Sequence, residues 1–340
     1  GRGRGGMGPG GPNGMGDGRQ HFHPGEGEGM SHQDAVDAMQ RYMGILSQSE
    51  SGRALVELAE EMGIQFAIDS QSGVYGYYSP TENVIGINPM AGDAKAVGTL
   101  AHELRHAWQF KNGFHTKLEQ SPKDNIWMMR VMEADAEANS VKVAAELAEA
   151  GYPQVLQAHL QSEYGDEVMA FMHQVEKDPE ALKDGRAQRA VFDQWFSRTA
   201  RRAAYDQQSI EYLEVFSFAL DHNKKTQGFD EVKTEWLRGI GAQPDGSNYL
   251  DHKKGDMDLD DDFYREGILS PIQERLDHIE RRLDGVKKAP PRDDLGGSSS
   301  LRYPTRGPAN DDRWPGADEP PLAAKRSNDD VPPNPRGLAM

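Results

Sequence analysis

Cysteine is absent from all 340 residues, which excludes disulfide staples, thiolate metal sites and a cysteine nucleophile while leaving the compartment open. Long apolar runs are missing too. No stretch approaches the roughly 18 residues that a bilayer crossing needs, so no membrane span is expected. Basic charge is scarce: 38 Lys and Arg face 55 Asp and Glu, for a net charge of −17, a poor surface for nucleic-acid phosphates. Hydrophobic residues make up only 36% of the chain, so the folded part must be smaller than the whole.

The shortage lies mostly at the ends. Residues 1–30 hold 13 of the 37 glycines, and residues 285–340 hold 10 of the 20 prolines. Both segments are expected to be disordered tails, because neither offers apolar surface to bury. Lys and Arg balance Asp and Glu in the first segment and the last carries +1, leaving −18 on residues 31–284. The start shows no basic region followed by an apolar one, so no secretory signal is recognised and the cytoplasm is the expected compartment. The chain begins at Gly1, which leaves a removed leader open. The arginines of GRGRGG fit a flexible linker better than an RNA contact.

Between the tails the hydrophobic period changes twice. Residues 34–47 and 52–62 repeat with helical spacing, with Ser49 or Ser51 placed to cap the second helix. Residues 64–68, 74–78 and 84–87 are β-branched or aromatic runs separated by turn residues, predicting a small antiparallel sheet. A helix over 93–110 follows, then a longer one from Ser121-Pro122 to about residue 149, where Gly151 stops it. Helices are expected over 153–161, 165–176, 186–225, 229–239 and 260–284. The predicted organisation is α+β: a core over 31–150 and a helical lobe over 151–284.

The helix at 93–110 contains His102-Glu103-Leu104-Arg105-His106, an HExxH pattern. At helical spacing His102 and His106 share a face, their Cβ atoms about 5–6 Å apart, and both imidazoles can grip one tetrahedral zinc. Glu103 lies beside them, where a carboxylate can take a proton from water. Val97, Ala101, Leu104 and Trp108 fall on the opposite side and would anchor the helix. The alternative is a polar outer face shared with Lys95, Thr99 and Gln109.

In the next helix Glu133 and Glu137 interrupt a stripe formed by Ile126, Met129, Ser140, Ala144 and Leu147. Buried carboxylates without a partner cost several kcal/mol, and a metal held with the histidines would supply the partner. Pairing with Arg105 or Arg130 is the alternative. Asp135 points to the other side, with Lys142 and Glu146, and is expected to be a solvated surface residue.

These residues carry a resemblance. HExxH followed by a glutamate on a later helix resembles the zincin metallopeptidases in their gluzincin arrangement, and GTLAHELRHAWQ with RVMEADAEA is similar to an uncharacterised family of bacterial metallopeptidases. The likeness covers about 60–150 and extends less specifically to about 250, through YDQQSIEYLEVF and SNYL. It implies a zincin-like fold, Zn2+ as cofactor, His102 and His106 as ligands, Glu103 as general base and Glu133 as third ligand. It also implies that the acidic residue four positions on orients the first histidine. Here that residue is Glu137, where aspartate is usual, so Glu133 and Glu137 remain alternatives for the third ligand. An edge strand should hold an extended peptide or protein substrate beside the site helix, with Val84 to Asn88 as the candidate.

Tyr205, His222, Tyr249 and His252 are candidate donors to a developing oxyanion. Asp256, Asp258 and Asp260 have the first spacings of an EF-hand, but Asp261 and Gly267 break the pattern, so no such loop is expected. Residues 268–283 form an amphipathic stripe that either packs on the domain or, like the tails, offers a partner surface. The leading expectation is zinc-dependent peptide hydrolysis; the alternative is a non-enzymatic helical interaction protein keeping a zincin-like fold and structural zinc.

Overall fold

Ser31 starts the first helix, its hydroxyl accepting from the Asp34 amide, and α1 runs His32–Leu46. Ser49, not Ser51, caps α2 (Glu50–Met62), and Gly63 ends it in the left-handed conformation. The hydroxyl of Ser51 donates instead to Glu146. The computed structural model describes residues 20–21, 30–223, 229–251 and 257–288. Most of the segments 1–30 and 285–340 lie outside the described residues.

Strands β1 (Gln20–His21), β2 (Gln65–Ile68), β3 (Gly76–Ser79) and β4 (Val84–Ile87) form one sheet in the order β1-β2-β4-β3. The expected antiparallel sheet is in fact mixed. β3 and β4 make the antiparallel hairpin that the SPTEN turn dictates, but β4 returns between β3 and β2 and pairs parallel with β2, as does β1. A hairpin signal is local, whereas the order of its strands beside β2 is a tertiary choice that alternation cannot encode. Gly76 lets β3 approach the next helix closely, since a Cβ there would lie 2.5 Å from Cγ2 of Thr99.

Helix α3 (Asp93–Lys111) packs on this sheet, with Asp93 in its first turn paired to Arg41. Ser121 caps α4 (Pro122–Glu149), accepting from the Asp124 amide, with proline in the first turn. α4 is buried at 21 of its 28 positions. It runs between two apolar clusters: one unites α1, α2, the sheet and α3, and the other gathers the later helices around Trp127, Phe192, Trp195 and Tyr264. An element buried all round shows no single apolar face, and this affects the acidic residues below.

The later segment is helical, with more breaks than expected: α5 (Gln154–Leu160), α6 (Gly165–Lys177), α7 (Ala181–Asp184), α8 (Arg186–Phe196), α9 (Thr199–Asn223), α10 (Thr234–Leu237), α11 (Asp262–Arg265) and α12 (Ser270–Lys288). The single helix predicted over 186–225 divides between Phe196 and Thr199. Gly267, at φ 77°, separates α11 from α12. Ile272, Leu276, Ile279 and Leu283 are buried in the first cluster against α9 and α4. The stripe at 268–283 is therefore spent on the chain's own core and is not a free surface for a partner helix.

Candidate metal centre

Helices α3 and α4 cross with their polar residues turned toward each other, inside the protein. His102, Glu103, His106, Glu133 and Glu137 are each no more than 5% exposed. His102 Nε2 and His106 Nε2 are 3.1 Å apart, and the Glu133 carboxylate lies 3.3 Å from the first and 3.2 Å from the second. These three residues can offer one ligand atom each to a common point. Glu103, next to His102 in the chain, is fully buried.

The other ring nitrogens are held from behind. Nδ1 of His102 lies 2.8 Å from Glu137 Oε2, and Nδ1 of His106 lies 2.8 Å from Gln109 Oε1. The amide of Gln109 is oriented by its own donations to the Met132 carbonyl and to Asp135, so it presents its oxygen to His106. Both Nδ1 atoms therefore donate, and in the neutral rings both Nε2 lone pairs face forward. Two lone pairs and a carboxylate converging within hydrogen-bond range repel unless a cation stands among them. Their separations also suit one: a tetrahedral ion with bonds of about 2.0–2.1 Å sets its ligand atoms about 3.3 Å apart. The donor set thus fits a metal ion, with a fourth position left over.

Without a metal, a proton answers the same need. Burial opposes charge on His102, but hydrogen bonds to Glu133 and Glu137 hold its pKa well above the ordinary 6.5. Burial would raise the Glu137 carboxyl, yet His102 and His159 hold it well below its usual range. His159 Nε2 stands 3.4 Å from Glu137 Oε1 and 3.7 Å from Glu167 Oε1. Burial and the nearby Glu137 charge push the Glu167 carboxyl well up.

Asp135 is not on the surface. It is fully buried and accepts from Arg105 Nε at 2.8 Å, Gln109 Nε2 at 2.8 Å, Asn139 Nδ2 at 3.0 Å and the Tyr249 hydroxyl at 2.6 Å. Arg105 also donates to the carbonyls of Ile240 and Ala242, tying the segment after α10 to α3. The expectation of a solvated Asp135 assumed that one face of α4 meets water, whereas α4 is enclosed. Arg105 is thus committed to Asp135, and Arg130 forms a bidentate pair with Asp206; neither pairs with Glu133 or Glu137.

Two other expectations change. β4 is internal, flanked by β2 and β3, so it has no free edge for a peptide; among the described residues β3 lies at a sheet edge, and it packs on α3. Of the candidate oxyanion donors, Tyr249 is engaged by Asp135 and Tyr205 is buried with its hydroxyl 3.3 Å from that of Tyr164. The side chain of His222, together with His252 and Asp256, lies outside the described residues. The alternative of a polar outer face with Lys95, Thr99 and Gln109 does not hold, since all three are buried; the role of Gln109, and His159 and Glu167 altogether, were not expected. Gln109 carried a signal, since a residue three after His106 shares its face; His159 and Glu167 sit on separate short helices with no common period.

Fold and site together define a largely helical α+β protein with a buried histidine–carboxylate cluster suited to a metal ion. The model of the family described as "Putative metallopeptidase family (DUF6782)" matches residues 21–250, and the chain belongs to that family. No curated protein and no solved structure matches the chain. Among the described residues no helix is long and apolar enough to cross a membrane.

Proposed function

We propose that this chain is a zinc-dependent peptidase of zincin type in the gluzincin arrangement, with His102, His106 and Glu133 as ligands and Glu103 as general base. The observation that carries this is the convergence of two Nε2 atoms and the Glu133 carboxylate, while Glu137 and Gln109 fix the opposite ring nitrogens. A bound zinc ion would supply Lewis acidity, polarising the scissile carbonyl and lowering the pKa of water toward neutrality. Glu103 accepts the proton of the attacking water and delivers it to the leaving amine. Glu137 keeps His102 in the ligating tautomer, and Gln109 does the same for His106. β3, at an edge of the sheet beside α3, is the strand that takes an extended peptide by backbone pairing.

Burial supports a second reading. His102 is 4% exposed and His106 1%, and closed sites are typical of structural zinc. A structural ion, however, needs no base beside its ligands, and the buried Glu103, next to His102 in the chain, favours the enzyme. Glu103→Gln separates the two. The variant should keep stoichiometric zinc while hydrolysis of a peptide library falls by about 10²–10⁴-fold, the usual contribution of a general base. Zinc binding with no hydrolysis by the unaltered protein would favour the structural reading, and a protein that takes up no zinc would overturn both.

A further inference from the structure

Behind His102, on the side away from Glu133, three more ligand-type side chains come together. Glu137 Oε1, His159 Nε2 and Glu167 Oε1 lie within 4.8 Å of one another, and the 3.4 and 3.7 Å separations from His159 slightly exceed the roughly 3.3 Å edge of a tetrahedral zinc site. We propose that Glu137, His159 and Glu167 bind a second divalent cation of the zinc class, with Glu137 shared: one oxygen orients His102 and the other ligates the second ion. The inference rests on the first site only through that shared carboxylate.

The charge and hydrogen-bond pattern requires something at this point. Glu167 is fully buried, and neither of its oxygens makes a hydrogen bond; the facing Glu137 Oε1 and His159 Nε2 make none either. A fixed cation, Arg201, sits 3.3 Å from Oε2 of Glu167, on the other oxygen from the one facing His159. It gives its hydrogen bonds to Asp166, at 2.9 and 3.2 Å, and to the Glu163 carbonyl. Two carboxyl groups thus share one imidazole in a desolvated place; without a metal, burial and the Glu137 charge favour the protonated form of Glu167, and a divalent cation would take that proton's place. One imidazole and two carboxylates are a donor set that zinc accepts. Beside them lies a cavity of about 20 Å³, lined by His102, Glu137, His159 and Tyr164 among others, large enough for one water as a fourth ligand. The three residues come from α4, α5 and α6, so an ion here would also pin α5 across the back of the first site.

The test is metal stoichiometry on the full-length protein, saturated with zinc alone and then passed through a desalting column. Elemental analysis should find two zinc ions per chain. His159→Ala and Glu167→Gln should each lower this to one, while His106→Ala, which strips the first site, should also leave one. Far-ultraviolet circular dichroism checks that each variant is folded, and the near-isosteric Glu167→Gln serves if His159→Ala is not. One zinc in the unaltered protein, lost in His106→Ala but kept in Glu167→Gln, would overturn the second site and leave the first intact. Two ions that persist in Glu167→Gln would also overturn it, placing the extra ion elsewhere. One zinc that survives His106→Ala and is lost in Glu167→Gln would instead overturn the first site.

Discussion

Asp135 and its neighbours Glu133 and Glu137 stand on the same two turns of α4, all nearly inaccessible to water, and yet their surroundings are opposite in polarity. Asp135 is met by N–H and O–H groups from Arg105, Gln109, Asn139 and Tyr249. Glu133 is met by two imidazole Nε2 atoms whose partners behind them have fixed the ring protons on the far side. The first carboxylate is saturated by donors that the fold supplies permanently. The second is incomplete until a proton or a metal ion arrives. Burial alone therefore says little about a carboxylate's role; the polarity of what faces it separates a structural lock from a ligand.

The largest effect should come from breaking the lock. Asp135→Ala takes the carboxylate from the Tyr249 hydroxyl and from the buried guanidinium of Arg105, which keeps only the neutral carbonyls of Ile240 and Ala242, and breaking a buried pair in this way costs about 3–5 kcal/mol. Arginine cannot shed its charge to escape the penalty. Glu133→Gln should cost the metal-free protein less than half as much, because His102 can release its proton once one acidic partner is gone. Urea unfolding of both variants in chelator tests the asymmetry, and equal losses would mean that the two faces do not differ in kind.

Next in size is the response to metal. Zinc at about 100 times its dissociation constant should stabilise the unaltered protein by about 2.7 kcal/mol, visible as a rise in melting temperature. Glu133→Ala should abolish the part of that rise that belongs to the His102–His106–Glu133 site, leaving only what an ion on Glu137, His159 and Glu167 contributes. Persistence of the full rise in this variant would remove Glu133 from the ligand set.

How much of this was legible beforehand depends on whether the signal was local. The HExxH spacing, the Ser121-Pro122 cap and the three strand segments are properties of short windows, and they placed α3, the start of α4 and the sheet segments within a few residues. The register that put Glu133 and Glu137 on one stripe was also local. What that register could not reveal was that the other stripe is buried too, because the covering residues, Tyr249 and the carbonyls of Ile240 and Ala242, lie more than a hundred positions along the chain. The parallel pairing of β2 with β4 and the arrival of His159 behind His102 span shorter separations but were likewise set by tertiary packing and not by any short window.

A smaller effect should sharpen the comparison at the residue that touches both faces. Gln109 offers its oxygen to His106 and its amide to Asp135 and the Met132 carbonyl. Gln109→Ala should lower zinc affinity by about 10–100-fold, as loss of a group orienting a ligand does. Competition with a chelator gives the number. An unchanged affinity would show that His106 needs no orientation from Gln109.

The smallest effect is a pH dependence that only one face should show. In the metal-free protein His102 has a raised pKa, so its contribution to stability is complete below its ordinary value of 6.5 and is lost as pH climbs through the higher folded value. The same proton must leave before zinc can bind. Zinc affinity should therefore rise with pH, by up to about tenfold per unit while the pH is below the folded value. The unaltered protein should follow this course from the ordinary histidine value of 6.5 up to its raised folded value. In Glu137→Gln the imidazole loses one of the two carboxylates that hold its proton, so the slope should begin to flatten at lower pH even though overall affinity is weaker. A slope identical in the two proteins would place the competing proton on some group other than His102.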